Sequence, residues 1–311
     1  MAYEELRDRL RGVFGFPLTP FREDLSLDLD ALAANVDWMT GYPFCAQVAA
    51  GGTGELYSLT PDEIVDVVKV SVDAVNGRMP VVAGVGYNVP IATSLARRLE
   101  DAGADALLVL PPYYENAPKQ GLFNYYKAIG EATGLPLMVY SRGWAVFTPD
   151  MVAELADLVP TLVFWKDGQG NGRVYQRIMN KLGDRLTWFG GLGDDCVPTY
   201  FSVGVQAYTS SISNIAPKLS LALAELGMKG DFKALAELMN RYVHPLYAIR
   251  ERTKGYEVSI MKSAMEMLGL KAGPVRPPLQ NASDKDIEDT RALLETYGEY
   301  LPEGISVAAR V

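Results

Sequence analysis

The sequence predicts a (β/α)8 TIM barrel with a C-terminal helical extension. Three observations lead there: eight short, continuous apolar runs, helical periodicity between them, and further helical sequence after the last run. Gly12 to Phe21, Phe44 to Ala50, Pro80 to Gly86, Ala104 to Leu110, Pro136 to Ser141, Leu162 to Lys166, Leu186 to Gly191 and Ala207 to Ser213 are the runs. They are continuous runs of aliphatic, β-branched and aromatic residues, without the alternation of a half-solvated strand, as expected of strands buried on both faces of a parallel sheet. Their starts lie roughly 20 to 36 residues apart, the repeat of a βα unit, and eight such units favour a closed barrel over an open doubly wound sheet.

The helices carry readable punctuation. Thr60-Pro61-Asp62-Glu63 combines an N-cap, a proline at the first helical position and acidic first-turn residues, and the helix it opens ends at Asn76-Gly77. Thr148-Pro149-Asp150 opens another in the same way, and Ala92 to Ala102 and Gln120 to Thr133 supply two more. After the eighth run come Leu219 to Lys229, Phe232 to Arg252, Val258 to Leu268 and Asp284 to Tyr300, interrupted by Gly273-Pro274-Val275-Arg276-Pro277-Pro278. The division falls near Asn214, with the barrel at 1–214 and the final barrel helix and extension at 215–311. The N-terminal segment from Met1 to Leu10 alternates charges with leucines and reads as a short surface helix, not a signal peptide.

Composition narrows the chemistry. The chain has 311 residues, 49% hydrophobic and 22% charged, with a formal charge of −9 and no basic stripe, which argues against nucleic acid and anionic membrane as partners. No apolar run is long enough to span a bilayer. Cys45 and Cys196 do not make a disulfide framework, so a reducing cytoplasm fits. The single histidine, His244, makes a His-ligated metal site improbable, and no nucleophile-elbow motif is present for it to serve as a base.

Barrels concentrate chemistry at the carboxyl ends of their strands. After the second run stands Gly51-Gly52-Thr53-Gly54-Glu55, a turn with so little bulk that a ligand could approach its amides; it lacks the Lys and Ser/Thr spacing of a phosphate loop and suits a carboxylate better. The fifth run ends at Tyr140, either a packing aromatic or a phenol able to relay protons. The sixth ends Leu162-Val163-Phe164-Trp165-Lys166, where the lysine either snorkels or is an amine held in a low-dielectric mouth. Only the second matters chemically, because a neutral amine attacks carbonyls and burial lowers a lysine pKa.

The glycine-rich turn, Tyr140, Lys166 and Pro112-Tyr113-Tyr114 together resemble the dihydrodipicolinate synthase and N-acetylneuraminate lyase family of class I aldolase-type barrels, over about Gly12 to Ala272. The resemblance implies that Lys166 forms an imine with a 2-keto acid, that Tyr140 moves protons, and that Thr53 with the Gly52 loop holds the substrate carboxylate. It further implies that the Gly191 carbonyl lines the site and that Tyr114 reaches a neighbouring active site in a dimer of dimers. Two departures matter. Gly52 stands where the synthases carry the threonine of a tyrosine proton relay, and Ala145 stands where they carry an arginine for a second substrate. Gly52, the Tyr140-Ser141-Arg142 segment and Lys166-Asp167-Gly168 are similar to the 5-dehydro-4-deoxyglucarate dehydratase branch, which implies cofactor-free dehydration and decarboxylation of a keto-diacid. Ser211 and Asn214, in the eighth run's end, and Arg142 are the candidates for the distal carboxylate. The rivals are a 2-keto-3-deoxysugar-acid aldolase releasing pyruvate and a non-catalytic barrel that binds sugar acids.

Overall fold

The computed structural model describes residues 3–303 and Val307. Eight strands close in chain order: β1 (Gly12–Gly15), β2 (Ala46–Ala49), β3 (Val81–Val85), β4 (Ala106–Val109), β5 (Leu137–Arg142), β6 (Leu162–Gly168), β7 (Thr187–Gly190) and β8 (Ala207–Ser210). The pairing is parallel throughout, and β1 lies against β8 along its whole length, which removes both sheet edges. All of β3, β4 and β6 is buried. This two-sided burial is why the strands read as continuous apolar runs.

Around the barrel run α1 (Tyr3–Arg9), α2 (Leu29–Met39), α3 (Pro61–Val75), α4 (Val89–Asp101), α5 (Lys119–Gly130), α6 (Pro149–Leu158), α7 (Gly172–Leu182), α8 (Val197–Ser202) and α9 (Pro217–Lys229). The Thr60 capping box is present on both sides: its hydroxyl accepts from the Glu63 amide and the Glu63 carboxylate accepts from the Thr60 amide. Thr148 caps α6 through the Met151 amide. Helix α1 lies within the segment expected to be helical, whose first residues, Met1 and Ala2, fall outside the described ones.

Two boundaries differ from expectation for identifiable reasons. The first strand stops at Gly15 and not at Phe21, because the chain there leaves the sheet and is held by side chains from the end of β8. Phe16 donates its amide to Ser213 Oγ and Leu18 donates to Asn214 Oδ1, both at 3.3 Å. Beyond α9, the stretch from Phe232 is not one helix: α10 (Phe232–Leu238) passes through a π-helical turn, Met239–Val243, into α11 (His244–Arg250). Pro245 lacks an N–H and crowds the preceding turn, which an α-helix cannot absorb without a bulge. The extension ends in α12 (Tyr256–Met267) and α13 (Asp284–Leu294).

The extension is tied to the barrel by buried charge. Glu55, last residue of the glycine-rich turn, pairs with Lys262 of α12 at 2.6 Å, with side chains 0% and 2% exposed. Lys262 also donates to the Pro274 carbonyl. The ring of Phe21 lies between Lys262 and Arg276, each 4.2 Å from its centre, and Arg276 forks onto Glu63 at the start of α3. Burial pushes Lys262 down to about 8 and raises Glu55, each opposed by the other's charge. Removing one partner strands the other: Lys262→Met is expected to lower unfolding stability by about 3–5 kcal/mol, and adding Glu55→Gln should recover a large part of it. Urea denaturation midpoints of the single and double variants check this.

Candidate active site

Strands β5 and β6 run in register so that Tyr140 faces Lys166, one residue pair before Ser141 and Asp167. Both side chains turn into the barrel mouth and converge on one acceptor. The Gly191 carbonyl, at the end of β7, accepts from the Tyr140 hydroxyl at 2.6 Å and from Lys166 Nζ at 3.1 Å. Nζ also sits 3.5 Å from the centre of the Tyr140 ring. Position 191 must be glycine for this packing, since a Cβ there would overlap Lys166 Cε and Cγ.

Lys166 is 2% exposed. Burial pushes its pKa well below the usual lysine range; the nearby Arg142 charge pushes the same way, and Asp167 opposes them. Burial also raises Tyr140, keeping its phenol protonated. An amine whose ammonium form burial disfavours and a protonated phenol therefore share one carbonyl.

The turn after β2 forms the adjacent wall. Ala50 and Glu55 take left-handed backbone conformations at its two ends, and Thr19 Oγ1 donates to the Gly54 carbonyl at 2.7 Å. Gly52 and Thr53 face the cavity. A Cβ at Gly52 would come within 2.7 Å of Arg142 Nη1, so the guanidinium occupies the space a larger residue would need. Gly52 and Arg142 are thus coupled in space, although they lie far apart in the sequence.

The opposite wall is built from β8 and the extension. Asp194 is fully buried; its carboxylate accepts from the hydroxyls of Ser210, Ser211 and Tyr247 and from the amides of Ser211 and Ile212. Arg250, the last residue of α11, donates to Ser211 Oγ at 2.9 Å and stacks on the Tyr247 ring at 4.4 Å. Together with Phe16, Thr209 and Glu257, these groups enclose a cavity of about 100 Å³ that also holds Lys166, Tyr140, Gly52, Thr53, Arg142 and Gly191.

Most of the expected site residues therefore meet. Asn214 does not: both amide protons go to the Phe16 and Ser211 carbonyls and its oxygen accepts from Leu18, so it braces backbone and does not line the cavity. Ser211 lines the cavity, but its proton goes to Asp194. Tyr114 is 81% exposed on the β4 to α5 loop, away from this chain's cavity. Sequence reasoning missed Asp194, Tyr247 and Arg250; the spacing of Tyr247 and Arg250, three apart on one helical face, was the available signal. His244 is exposed at the start of α11 and takes no part.

A larger cavity, about 570 Å³, lies at the opposite end of the barrel beside Arg7, Asp184 and Trp188. Arg7 is engaged there by Thr187 Oγ1 and the Asp184 carbonyl, and that end of a barrel serves stability. Among the described residues, no group of His, Cys, Asp and Glu could hold a metal ion.

A closed parallel barrel whose carboxyl-end cavity gathers a buried amine, a protonated phenol and a glycine-rich turn defines a (β/α)8 barrel enzyme. The chain matches the dihydrodipicolinate synthetase family over residues 9–297, and it belongs to that family. Among its relatives is a probable 5-dehydro-4-deoxyglucarate dehydratase of Bradyrhizobium diazoefficiens, 41% identical over 91% of both chains. Another of that name, from Saccharopolyspora erythraea, is 40% identical over 91% of this chain and 93% of the relative. Of solved structures, dihydrodipicolinate synthase from Bacillus clausii superposes with a TM-score of 0.88 at 27% identity, covering 94% of this chain and 99% of that one. The synthase from Oceanobacillus iheyensis gives 0.87 at 30% identity, covering 95% and 99%.

Two outcomes follow from the amine's burial. Lys166→Met should stabilise the protein. A folded-state lysine pKa held below its unfolded value destabilises most at low pH, and the burden shrinks as pH rises from the folded pKa towards 10.5, so the variant's gain should shrink over the same window. Denaturation midpoints measured across that range check the sign. Gly191→Ala should lower turnover about 100-fold through displacement of the Lys166 amine, with the circular dichroism spectrum unchanged.

Proposed function

We propose that the chain is a decarboxylating dehydratase that converts 5-dehydro-4-deoxyglucarate to 2,5-dioxopentanoate, CO2 and water through an imine on Lys166. The observation that carries this is the buried Lys166 amine, 3.1 Å from the Gly191 carbonyl and in contact with Tyr140. The names of the relatives support the choice of substrate. Ala145, with no cation to offer a second substrate, argues against a condensing synthase.

In this mechanism the turn at Gly52 and Thr53 holds the carboxylate next to the ketone. Neutral Lys166 adds to the ketone and water leaves, giving a protonated imine. That imine acidifies the neighbouring CH2; loss of its proton gives an enamine, which expels the hydroxyl one carbon further on as water. Tyr140, tethered to the Gly191 carbonyl, is placed to carry these protons. The product is a conjugated imine. When the far carbon–carboxylate bond breaks, its electron pair flows through the conjugated system to the imine nitrogen and CO2 departs. Reprotonation converts the resulting enol to an aldehyde, and hydrolysis frees Lys166. No step calls on a metal or organic cofactor.

The same reading places the enzyme in the cytoplasm as a homotetramer, a dimer of dimers. Among the described residues no helix is long and apolar enough to cross a membrane. Tyr113 and Tyr114, 87% and 81% exposed and packed edge to face, suit a site on a neighbouring subunit.

Incubation with 5-dehydro-4-deoxyglucarate, followed by mass spectrometry of the products, should yield CO2 and 2,5-dioxopentanoate in equal amounts and no pyruvate. Pyruvate with a three-carbon partner would instead establish an aldolase, and unchanged substrate a binding protein.

A further inference from the structure

We propose that Arg250, supplied by the extension and not by the barrel, binds the distal carboxylate of the substrate, and that Ser211 and Tyr247 position it. This rests on the reading of the substrate as a keto-diacid.

Arg250 is 9% exposed, and its Nε has no hydrogen-bond partner. Among the described residues, no ion pair includes it. A buried guanidinium without a carboxylate is unfavourable unless something that visits the site supplies one. The cavity it lines is the one that holds Lys166. Its neighbours fix the side chain without neutralising it. Ser211 Oγ accepts from Nη1, the Glu257 backbone carbonyl accepts from Nη2 at 3.4 Å, and the Tyr247 ring lies against the guanidinium plane. The Glu257 carboxylate accepts from the Gly255 amide at 2.9 Å and makes no ion pair with Arg250.

Two acids lie near. The oxygens of Asp194 are taken by hydroxyls and amides of β8's end and Tyr247, and Asp195, whose raised pKa the Arg250 charge partly opposes, makes no ion pair with Arg250. Ser211 hands its proton to Asp194 and accepts from Arg250, so it links the two and has no proton to give a ligand. Asp194 therefore acts as an anchor that orients Ser211, which in turn aims Arg250.

Arg142 is the competing cation, and its position assigns it elsewhere. Its Nη1 lies beside Gly52, on the turn that receives the carboxylate adjacent to the ketone, and its guanidinium is 5.8 Å from the Tyr140 ring. A chain fixed by imine formation at Lys166, with its near carboxylate on that turn, extends its far end towards the wall made by Ser211, Tyr247 and Arg250. A planar fork of donors suits a carboxylate there.

Two keto acids of equal length separate this inference from the chemistry. 2-Oxoadipate carries the distal carboxylate but no hydroxyl to eliminate, and 2-oxohexanoate lacks that carboxylate. Calorimetric Kd values should show wild type preferring 2-oxoadipate. Arg250→Gln should reduce that preference about 10- to 100-fold, Arg250→Lys should retain part of it, and Arg142→Gln should leave it in place. Preference kept in Arg250→Gln, or lost in Arg142→Gln, overturns the assignment. Binding of 2-oxohexanoate by Arg250→Gln reports that its site is folded, and Arg250→Lys supplies the same comparison if the glutamine variant does not fold. Borohydride treatment tests the imine separately: a preserved preference without a Lys166 adduct would reject the imine and keep Arg250.

Discussion

The Lys166 amine is taken out of water, and the mouth of the barrel is organised around that unfavourable burial. Desolvation disfavours the ammonium, Arg142 disfavours it further, and the carbonyl of Gly191 offers a hydrogen bond without a charge to bring the proton back. The neighbouring Asp167 pulls the other way, but its carboxylate is occupied by the Gly170 amide and the Tyr200 hydroxyl. A barrel supplies this environment cheaply because β6 is buried on both faces to its last residue. The absence of a side chain at Gly191 then decides where the amine can rest.

The C-terminal extension is part of the site's construction as well as its packing. Through Lys262 and Arg276 it grips Glu55, which ends the glycine-rich turn, and Glu63, in the first turn of α3. Through Tyr247 and Arg250 it closes the far wall of the cavity. The turn owes its shape to glycines and two left-handed residues, and its place to a buried ion pair contributed more than 200 positions later in the chain.

The barrel was legible because strands buried on both faces leave continuous apolar runs, and because Thr60 and Thr148 announce their helices with caps and prolines. Lys166, Tyr140 and the Gly52-Thr53 turn were legible because each lies at or just beyond the carboxyl-terminal part of a strand. The distal wall was not. Ser211, Tyr247 and Arg250 come from separate elements brought together only by the closing of the extension, and a single strand-end rule says nothing of an arginine at the end of a seven-residue helix. Asn214 looked like a ligand for the same reason Lys166 did, but its position faces the backbone of Phe16 to Leu18 and its amide is consumed there. The π-helical turn before His244 was not read from the sequence, where Phe232 to Arg252 passes as one helical stretch, although Pro245 was the available signal.

Borohydride reduction in the presence of 5-dehydro-4-deoxyglucarate, followed by peptide mapping, addresses the central claim most directly. The proposal predicts a stable mass increase on the peptide containing Lys166 and none in Lys166→Met. No increase, or one carried by another lysine, would contradict it.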